Sequence, residues 1–397
     1  MDILSGVSAD QLFVTSLQQQ GQLEALSNNA LSSGIDKYLR KEYEAAAKDF
    51  EKSINLHPTS ALGADATKYL AQTHLRLGQT DKAIEDYKRG IELNRDRDDL
   101  RNALGNLYYA EDRFDEALAQ YKEAVRVNPA SASNHYSLGQ GYLKLEKYSQ
   151  AEAEFRTVLR MEGDSPYGNY GLGLTYSKRE KYDKAIESFE AAIKKDRQFN
   201  EAYAEIGYAY ADMGELEKAR EMVEYLEDVD ADLSSTLSLY VDRVEPPKLM
   251  LALGSSSFAY SMSINTPVSA LDSYLENAGA AKSMTMKFLF NKEMDRSSVE
   301  DPFNWSISRQ MGAGDGSAYN FGMAIPSTEI TLPSFPNYAL YDPETGIATV
   351  SFTVRQNETA DGTIDPKHIV FKFNGEDTYG IKMDEDHDEF SSWSGVT

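Results

Sequence analysis

Five alanines, Ala83, Ala117, Ala151, Ala185 and Ala219, follow one another at intervals of 34 residues, each inside a near-copy of one phrase. The phrase reads TDKAIEDYKRGI from Thr80, FDEALAQYKEAV from Phe114, YSQAEAEFRTVL from Tyr148 and KYDKAIESFEAAI from Lys181. Its apolar residues recur at helical spacing, so each copy predicts an amphipathic helix. The same register recovers Leu70, Leu104, Leu138, Leu172 and Ile206, beside them Ala71, Gly105, Gly139, Gly173 and Gly207, and further on Tyr108, Tyr142, Tyr176 and Tyr210. An earlier copy, YEAAAKDFEKSINLHP, keeps Ala46, Phe50 and Pro58 in step after a slip of three residues. A period of this length marks a solenoid, in which no unit buries its apolar face alone and each stacks on its neighbours.

The order Leu-Gly, Tyr, Ala, aromatic, Ala and Pro over 34 residues resembles the tetratricopeptide repeat (TPR) family. Repeats fall at residues 27–60, 64–97, 98–131, 132–165, 166–199 and 200–233, with Ala71 in place of glycine and the closing proline kept only as Pro58 and Pro129. The resemblance implies two antiparallel helices per unit and a right-handed α-superhelix with a concave inner face. Small residues at the eighth and twentieth positions let the helices approach, while Phe50, Tyr87, Tyr121, Phe155 and Phe189 fill the layer between units. A closing helix is expected from Leu233, Leu237, Tyr240, Val241 and Val244, completing a repeat domain over residues 27–245. Residues 1–26 are read as an N-terminal capping or export segment, where Leu12, Leu17, Leu23 and Leu26 suit an opening helix that Gly21 interrupts.

Peptide-binding members of the family use the first helix of each unit, mainly at positions two, five, nine, twelve and thirteen. Carried onto this register, the resemblance implies partner contacts from Lys68, Gln72, Asn102, Asn106, Tyr109, Tyr136, Gln140, Tyr167, Tyr170 and Tyr208, with Arg76, Lys144 and Lys178 alongside. Amides can pair with an extended peptide backbone, and tyrosines add flat apolar area with a polar tip. The plain alternative is that these tyrosines only cover the inner wall. The carboxylate-clamp subgroup needs a Lys, Asn, Asn, Lys, Arg set. Here Gln72 and Ala103 follow Lys68, so recognition of chaperone C-termini is not expected.

The formal net charge of −24 is spread along the chain, with 44 acidic and 30 basic residues before Pro246 and 20 and 10 from it onward. No basic cluster exists to displace counterions from a phosphate backbone, which argues against nucleic acid and against an anionic membrane surface. No apolar run approaches the roughly 18 to 20 residues of a membrane span, and the start lacks a secretory signal pattern. With no cysteine, disulfides, thiolate metal sites and cysteine nucleophiles are excluded. The compartment is left as the bacterial cytoplasm, or the cell surface by a route without a cleavable signal.

After VEPPKL the helical period ends at Pro246 and Pro247. Residues 246–282 are read as a linker with a candidate first strand near residues 248–253, and residues 283–397 as a β-sandwich with an acidic tail. SMTMKFLF, NWSIS, IATVSFTV and HIVFKF are the strand candidates, and DPETG at residues 342–346 is a hairpin turn. KFLFNKEMDRSSVEDPFNWSI with DGTIDPKHIVFKF resembles bacterial immunoglobulin-like domains, which implies an Ig-like sandwich over about residues 283–380.

His57, His74, His135, His368 and His387 show no ligand spacing, and no zincin, nucleophile-elbow or phosphate-loop pattern occurs. No catalytic residue, cofactor or metal is assigned, and the chain is expected not to be an enzyme; an enzyme hidden in the sandwich offers no acid pair. GAGDGSAYN, residues 312–320, lacks the strand-to-helix junction of a phosphate cradle and is read as a loop. Asp384, Asp386 and Asp388 alternate in a manner compatible with weak calcium ligation, although Glu389 stands where an EF-hand loop wants glycine. The expected function is a non-enzymatic scaffold holding a protein or peptide on the concave face. The alternative is an exported bacterial surface or flagellum-like appendage protein, whose repeats and sandwich pack between subunits of a homo-oligomer or filament.

Overall fold

A computed structural model describes residues 9–163, 165–310 and 318–392, with side chains from residue 19 onward. The chain forms two compact units, residues 1–237 and 238–397. In the first, helices α1 (Ala9–Leu39), α2 (Tyr43–Leu56), α3 (Ala61–Arg76), α4 (Thr80–Leu93), α5 (Asp98–Ala110), α6 (Phe114–Val127), α7 (Ala132–Lys144), α8 (Tyr148–Met161), α9 (Pro166–Ser177), α10 (Tyr182–Lys195), α11 (Asn200–Asp212) and α12 (Leu216–Val229) make six successive pairs, and α13 (Ala231–Val244) follows them. Each helix packs on the next as far as α12. Odd-numbered helices also touch one another, α3 on α5 and α5 on α7, more closely than the even-numbered ones do, which puts them on the inner side of the curve.

The 34-residue repeat acts through a contact between a ring and a bare backbone. A Cβ added to Gly105 would lie 2.5 Å from the Tyr121 ring, one on Gly139 2.7 Å from Phe155, and one on Gly173 2.4 Å from Phe189. Phe155 also meets the next unit, since a Cβ on Gly171 would lie 2.4 Å from it, so its ring is held between two helices that can carry no side chain there. Phe155, Phe189, Ala151 and Ala185 are wholly buried. In the last unit Val223 replaces the aromatic residue, and Leu237 of α13 reaches Gly207 instead, its nearest carbon 2.3 Å from an added Cβ.

The first helix of each of the six pairs ends in a left-handed residue, at Lys41, Gly78, Asp112, Glu146, Glu180 and Gly214. The paired bonds of a Schellman motif close each end. At Glu146, for example, its own N–H donates to Leu143 O at 3.0 Å and the Lys147 N–H to Tyr142 O at 2.8 Å. Four of the six positions carry a side chain where glycine fits without strain.

The opening segment departs from expectation. Gly21 does not interrupt α1, which runs on as the first helix of the first repeat, and a Cβ added there would meet nothing within 4 Å. Leu23 and Leu26 are exposed rather than capping a core, and the side chains of Leu12 and Leu17 fall outside the described residues.

The second unit is β-rich, with β1 (Leu249–Ala252), β2 (Thr266–Pro267), β3 (Ala281–Phe290), a short helix α14 (Arg296–Glu300), β4 (Trp305–Arg309), β5 (Tyr338–Asp342), β6 (Ile347–Arg355), β7 (Thr363–Ile364), β8 (Ile369–Phe373) and β9 (Glu389–Phe390). Among the described residues there are three antiparallel sheets, ordered β1-β3-β6-β5, β4-β8-β9 and β2-β7. Alternation sends Met284, Met286, Phe288 and Phe290 of β3 inward, where Phe288 stacks on Trp305 at 5.5 Å and Phe290 meets Phe373 at 5.4 Å, so the two larger sheets share one core. Residues 246–282 are more than a linker: β1 joins the sheet, and Phe258, Val268 and Leu275 enter the same core.

Two stability outcomes follow from the helical contacts. Gly173→Ala should lower stability in urea unfolding by roughly 1 to 3 kcal/mol by overpacking, whereas Gly21→Ala should raise it by about 0.5 to 1 kcal/mol; equal effects would refute the ring contact. Glu146→Gly should stabilise by about 0.5 to 1 kcal/mol, relief of left-handed strain outweighing the added freedom of the unfolded chain; a lower melting temperature would refute the strain.

Candidate functional site

The sequence places ten residues on the inner wall, and the structure divides them. Several tie the units together. The Lys68 ammonium pairs with Asp99 of the next unit at 2.7 Å, where Arg97 also binds that carboxylate, and hydrogen bonds from Arg97 hold Asp99 well below the usual carboxylate range. The Asn102 amide is buried and donates to Asn134 Oδ1 at 2.9 Å, and Asn134 donates in turn to Asp98 at 2.7 Å. Asn106 accepts from the Tyr121 hydroxyl at 2.8 Å, and Tyr109 packs edge-on against Phe114 at 5.3 Å. Gln72 is exposed.

The tyrosines of the later repeats form a continuous wall. Tyr136 on α7 lies 5.9 Å from Tyr167 on α9, Tyr167 lies 5.7 Å from Phe199, and Phe199 lies 4.7 Å from Tyr170, all ring to ring. Tyr136 and Tyr170 rest in turn on the buried rings Phe155 and Phe189, so the packing of each unit sets the height of the wall. Gln140 donates to the Tyr136 hydroxyl at 3.1 Å and fixes its tip. Tyr167 is 57% exposed. Between α7 and α9 a cleft of about 370 Å³ is lined by Tyr136, Tyr167, Val158, Ser133, Ser165 and Glu162.

The electrostatics of this wall are acidic. Burial first, then Glu205 and the Tyr136 phenol, and last Glu201, push the Tyr170 phenol upward, and burial pushes the Tyr136 phenol up to about 12. Burial also raises Glu205, with Lys178 opposing the shift and Asp212 adding to it. Tyr208, on the same helix as Glu205, is raised by burial and by that carboxylate. Phe199, Glu162 and Glu205 lie outside the family's five contact positions. The signal available for Phe199 was its place one residue ahead of α11, where a bulky ring must lie against the preceding first helix.

Elsewhere the reactive side chains serve the scaffold. His74 pairs with Asp86 at 2.6 Å and His135 with Glu154 at 2.5 Å, each joining the two helices of one unit. Asp388 is buried and turned to Lys372 at 2.8 Å, while Asp384 accepts from His387, so Asp384, Asp386 and Asp388 do not converge. Among the described residues no cluster of His, Asp or Glu could hold a metal ion, and no helix is long and apolar enough to cross a membrane. Of residues 312–320, those up to 317 lie outside the described residues. A second cavity, of about 240 Å³, is lined by Ile307, Arg309, Tyr319, Ile330 and Ile364; the Tyr319 hydroxyl there bonds Glu329, which burial raises to about 7.

Known proteins agree on the repeats. Residues 71–112 and 105–145 match a family model described as TPR repeat, and residues 136–176 and 170–231 match one described as tetratricopeptide repeat. No curated protein matches the chain. Among solved structures, a tetratricopeptide repeat protein from Parabacteroides merdae is 18% identical, with 55% of this chain and 86% of that one covered and a TM-score of 0.49. A thermophilic TPR protein from Thermus thermophilus is 26% identical, with 46% and 98% covered and a TM-score of 0.37. YrrB, described as a TPR protein with an unusual peptide-binding site, is 22% identical, with 50% and 99% covered and a TM-score of 0.39. TPR proteins are generally non-enzymatic scaffolds for protein or peptide partners, and residues 71–231 of this chain match tetratricopeptide-repeat models.

Proposed function

We propose that the helical unit is a non-enzymatic scaffold that holds a protein or peptide partner on the inner wall of its fourth to sixth repeats. The observation that carries this reading is the row of rings from Tyr136 through Tyr167 and Phe199 to Tyr170, beside a cleft that a partner side chain can enter. Tyrosines offer large contact area for few rotatable bonds, and rings already fixed by Phe155 and Phe189 lose little further freedom on binding. Lys68 and Asn102 have a tethering role in this reading, and Tyr208 extends the wall.

We read the second unit as an immunoglobulin-like sandwich that attaches or positions the repeats. Lettering its seven longer-range strands A to G, β1-β3-β6-β5 becomes A-B-E-D and β4-β8-β9 becomes C-F-G, which is the constant-type arrangement. Trp305, on the strand lettered C, is buried, as that fold favours. A second reading, a subunit of a bacterial surface or appendage assembly, is favoured by apolar side chains left outside this unit: Phe303 at 77% exposure, against Phe335 at 5.6 Å, with Tyr338 and Leu340 on β5. Protein recovered in the shed or appendage fraction of native cells would favour that reading.

With the full chain immobilised as bait, Tyr136→Ala with Tyr170→Ala should weaken a captured partner at least about tenfold, as expected for central aromatic contacts. Capture unchanged by both substitutions in a folded protein would refute the inner-wall reading.

A further inference from the structure

Three successive joints between repeats show the same place in three conditions. Between the third and fourth repeats the chain fills it with a side chain of its own: Asn134 accepts from Asn102 at 2.9 Å and donates to Asp98 at 2.7 Å and to the Ala124 carbonyl at 3.2 Å. In the next copy, 34 residues on, Asp98, Asn102 and Ala124 become Ala132, Tyr136 and Val158, and Asn134 becomes Gly168. The polar bridge is gone, and Ala132, Tyr136 and Val158 line the open cleft of about 370 Å³. One repeat further, Tyr136 becomes Tyr170 and Ser133 becomes Tyr167, and the ring of Phe199 lies 4.7 Å from the first and 5.7 Å from the second. Phe199 is the residue just ahead of α11, and its counterpart just ahead of α9 is Ser165. Ser165 lines the cleft at 6% exposure, and its hydroxyl makes no hydrogen bond among the described residues, not even the cap that Ser131 gives α7.

We propose that this cleft seats one aromatic side chain of the partner, laid against Tyr136 as Phe199 is laid against Tyr170. The proposal rests on the inner wall being the partner site and adds what the partner must bring. An amide, which suits the preceding joint, would find Ala132 and Tyr136 in place of its side-chain partners Asp98 and Asn102. A ring meets Tyr136 and Tyr167 and the apolar carbon of Ala132 and Val158, and ring pairs at such spacings stabilise beyond the area they bury. Aromatic anchors in pockets are also where interfaces concentrate their affinity. A tyrosine or tryptophan would in addition donate its polar hydrogen to the Ser165 hydroxyl, which is otherwise without a partner.

The test fills the cleft from within. Ser165→Phe puts there the ring that the next joint already holds, so the melting temperature of the full chain should not fall. A clear fall would show that a ring has no seat in the cleft and would overturn the proposal. Random twelve-residue peptides selected on the full chain should be enriched in Phe, Tyr and Trp at one position, and replacing that residue by Ala should cost at least about tenfold in affinity. Ser165→Phe should weaken the same peptides by a similar factor, whereas Ser165→Ala, which removes only a hydroxyl, should keep most of the affinity. A pool without aromatic bias that the paired Tyr136→Ala, Tyr170→Ala variant abolishes would overturn the ring and leave the inner-wall site standing. A pool that neither this pair nor Ser165→Phe affects, or a selection that retains no peptide, would overturn both.

Discussion

The stacking of the central repeats depends on one contact, an aromatic ring laid on a stretch of backbone that has no side chain. Phe155 shows it in full, with Gly139 of its own unit on one side and Gly171 of the next on the other. The ring fills the space that two absent Cβ atoms leave, and burying it contributes about 2 to 3 kcal/mol of transfer free energy. Because the same residue touches both units, helix spacing within a pair and spacing between pairs are set together. A 34-residue period is then a packing requirement, and a change of ring or glycine in one unit is felt in two.

The inner ring wall is built on top of this packing. Tyr136 rests on Phe155 and Tyr170 on Phe189, so the inner tyrosines are held in position by the same rings that hold the units together. Use of the inner surface changes along the chain. In the second to fourth repeats the equivalent positions are spent on bridges between neighbours, Lys68 to Asp99 and Asn102 to Asn134, both spanning about one repeat in sequence. In the fourth and fifth repeats they carry the rings Tyr136, Tyr167 and Tyr170. Bridges between units and the ring wall thus fall largely in different repeats, as a nearest-neighbour architecture allows.

The repeat was legible because its signal is local and recurs: helix periods, small residues and rings all return in one register, and their agreement leaves little alternative. Strand alternation in residues 283–290 and the hairpin turn before β6 were legible for the same reason. What the register could not say is how a given side chain is spent. Lys68 and Asn102 occupy contact positions of the family, yet their partners lie 31 and 32 residues away in the next unit, a distance no local pattern reports. Phe199 and Glu205 belong to the wall although they sit outside those positions. Gly21 was misread because glycine weakens a helix without forbidding it, and a neighbouring turn on either side is enough to carry α1 through. The role of residues 246–282 was hidden because Phe258, Val268 and Leu275 are scattered among polar residues and show their purpose only when the core closes.

The most direct measurement is amide hydrogen exchange on the full chain with and without a bound partner. The account predicts added protection in α7, α9 and α11, greatest in the N-terminal halves of α7 and α9, where Tyr136, Tyr167 and Tyr170 stand, with little change in α8, α10 and α12. Protection confined to the even-numbered helices, or to the second unit alone, would contradict it.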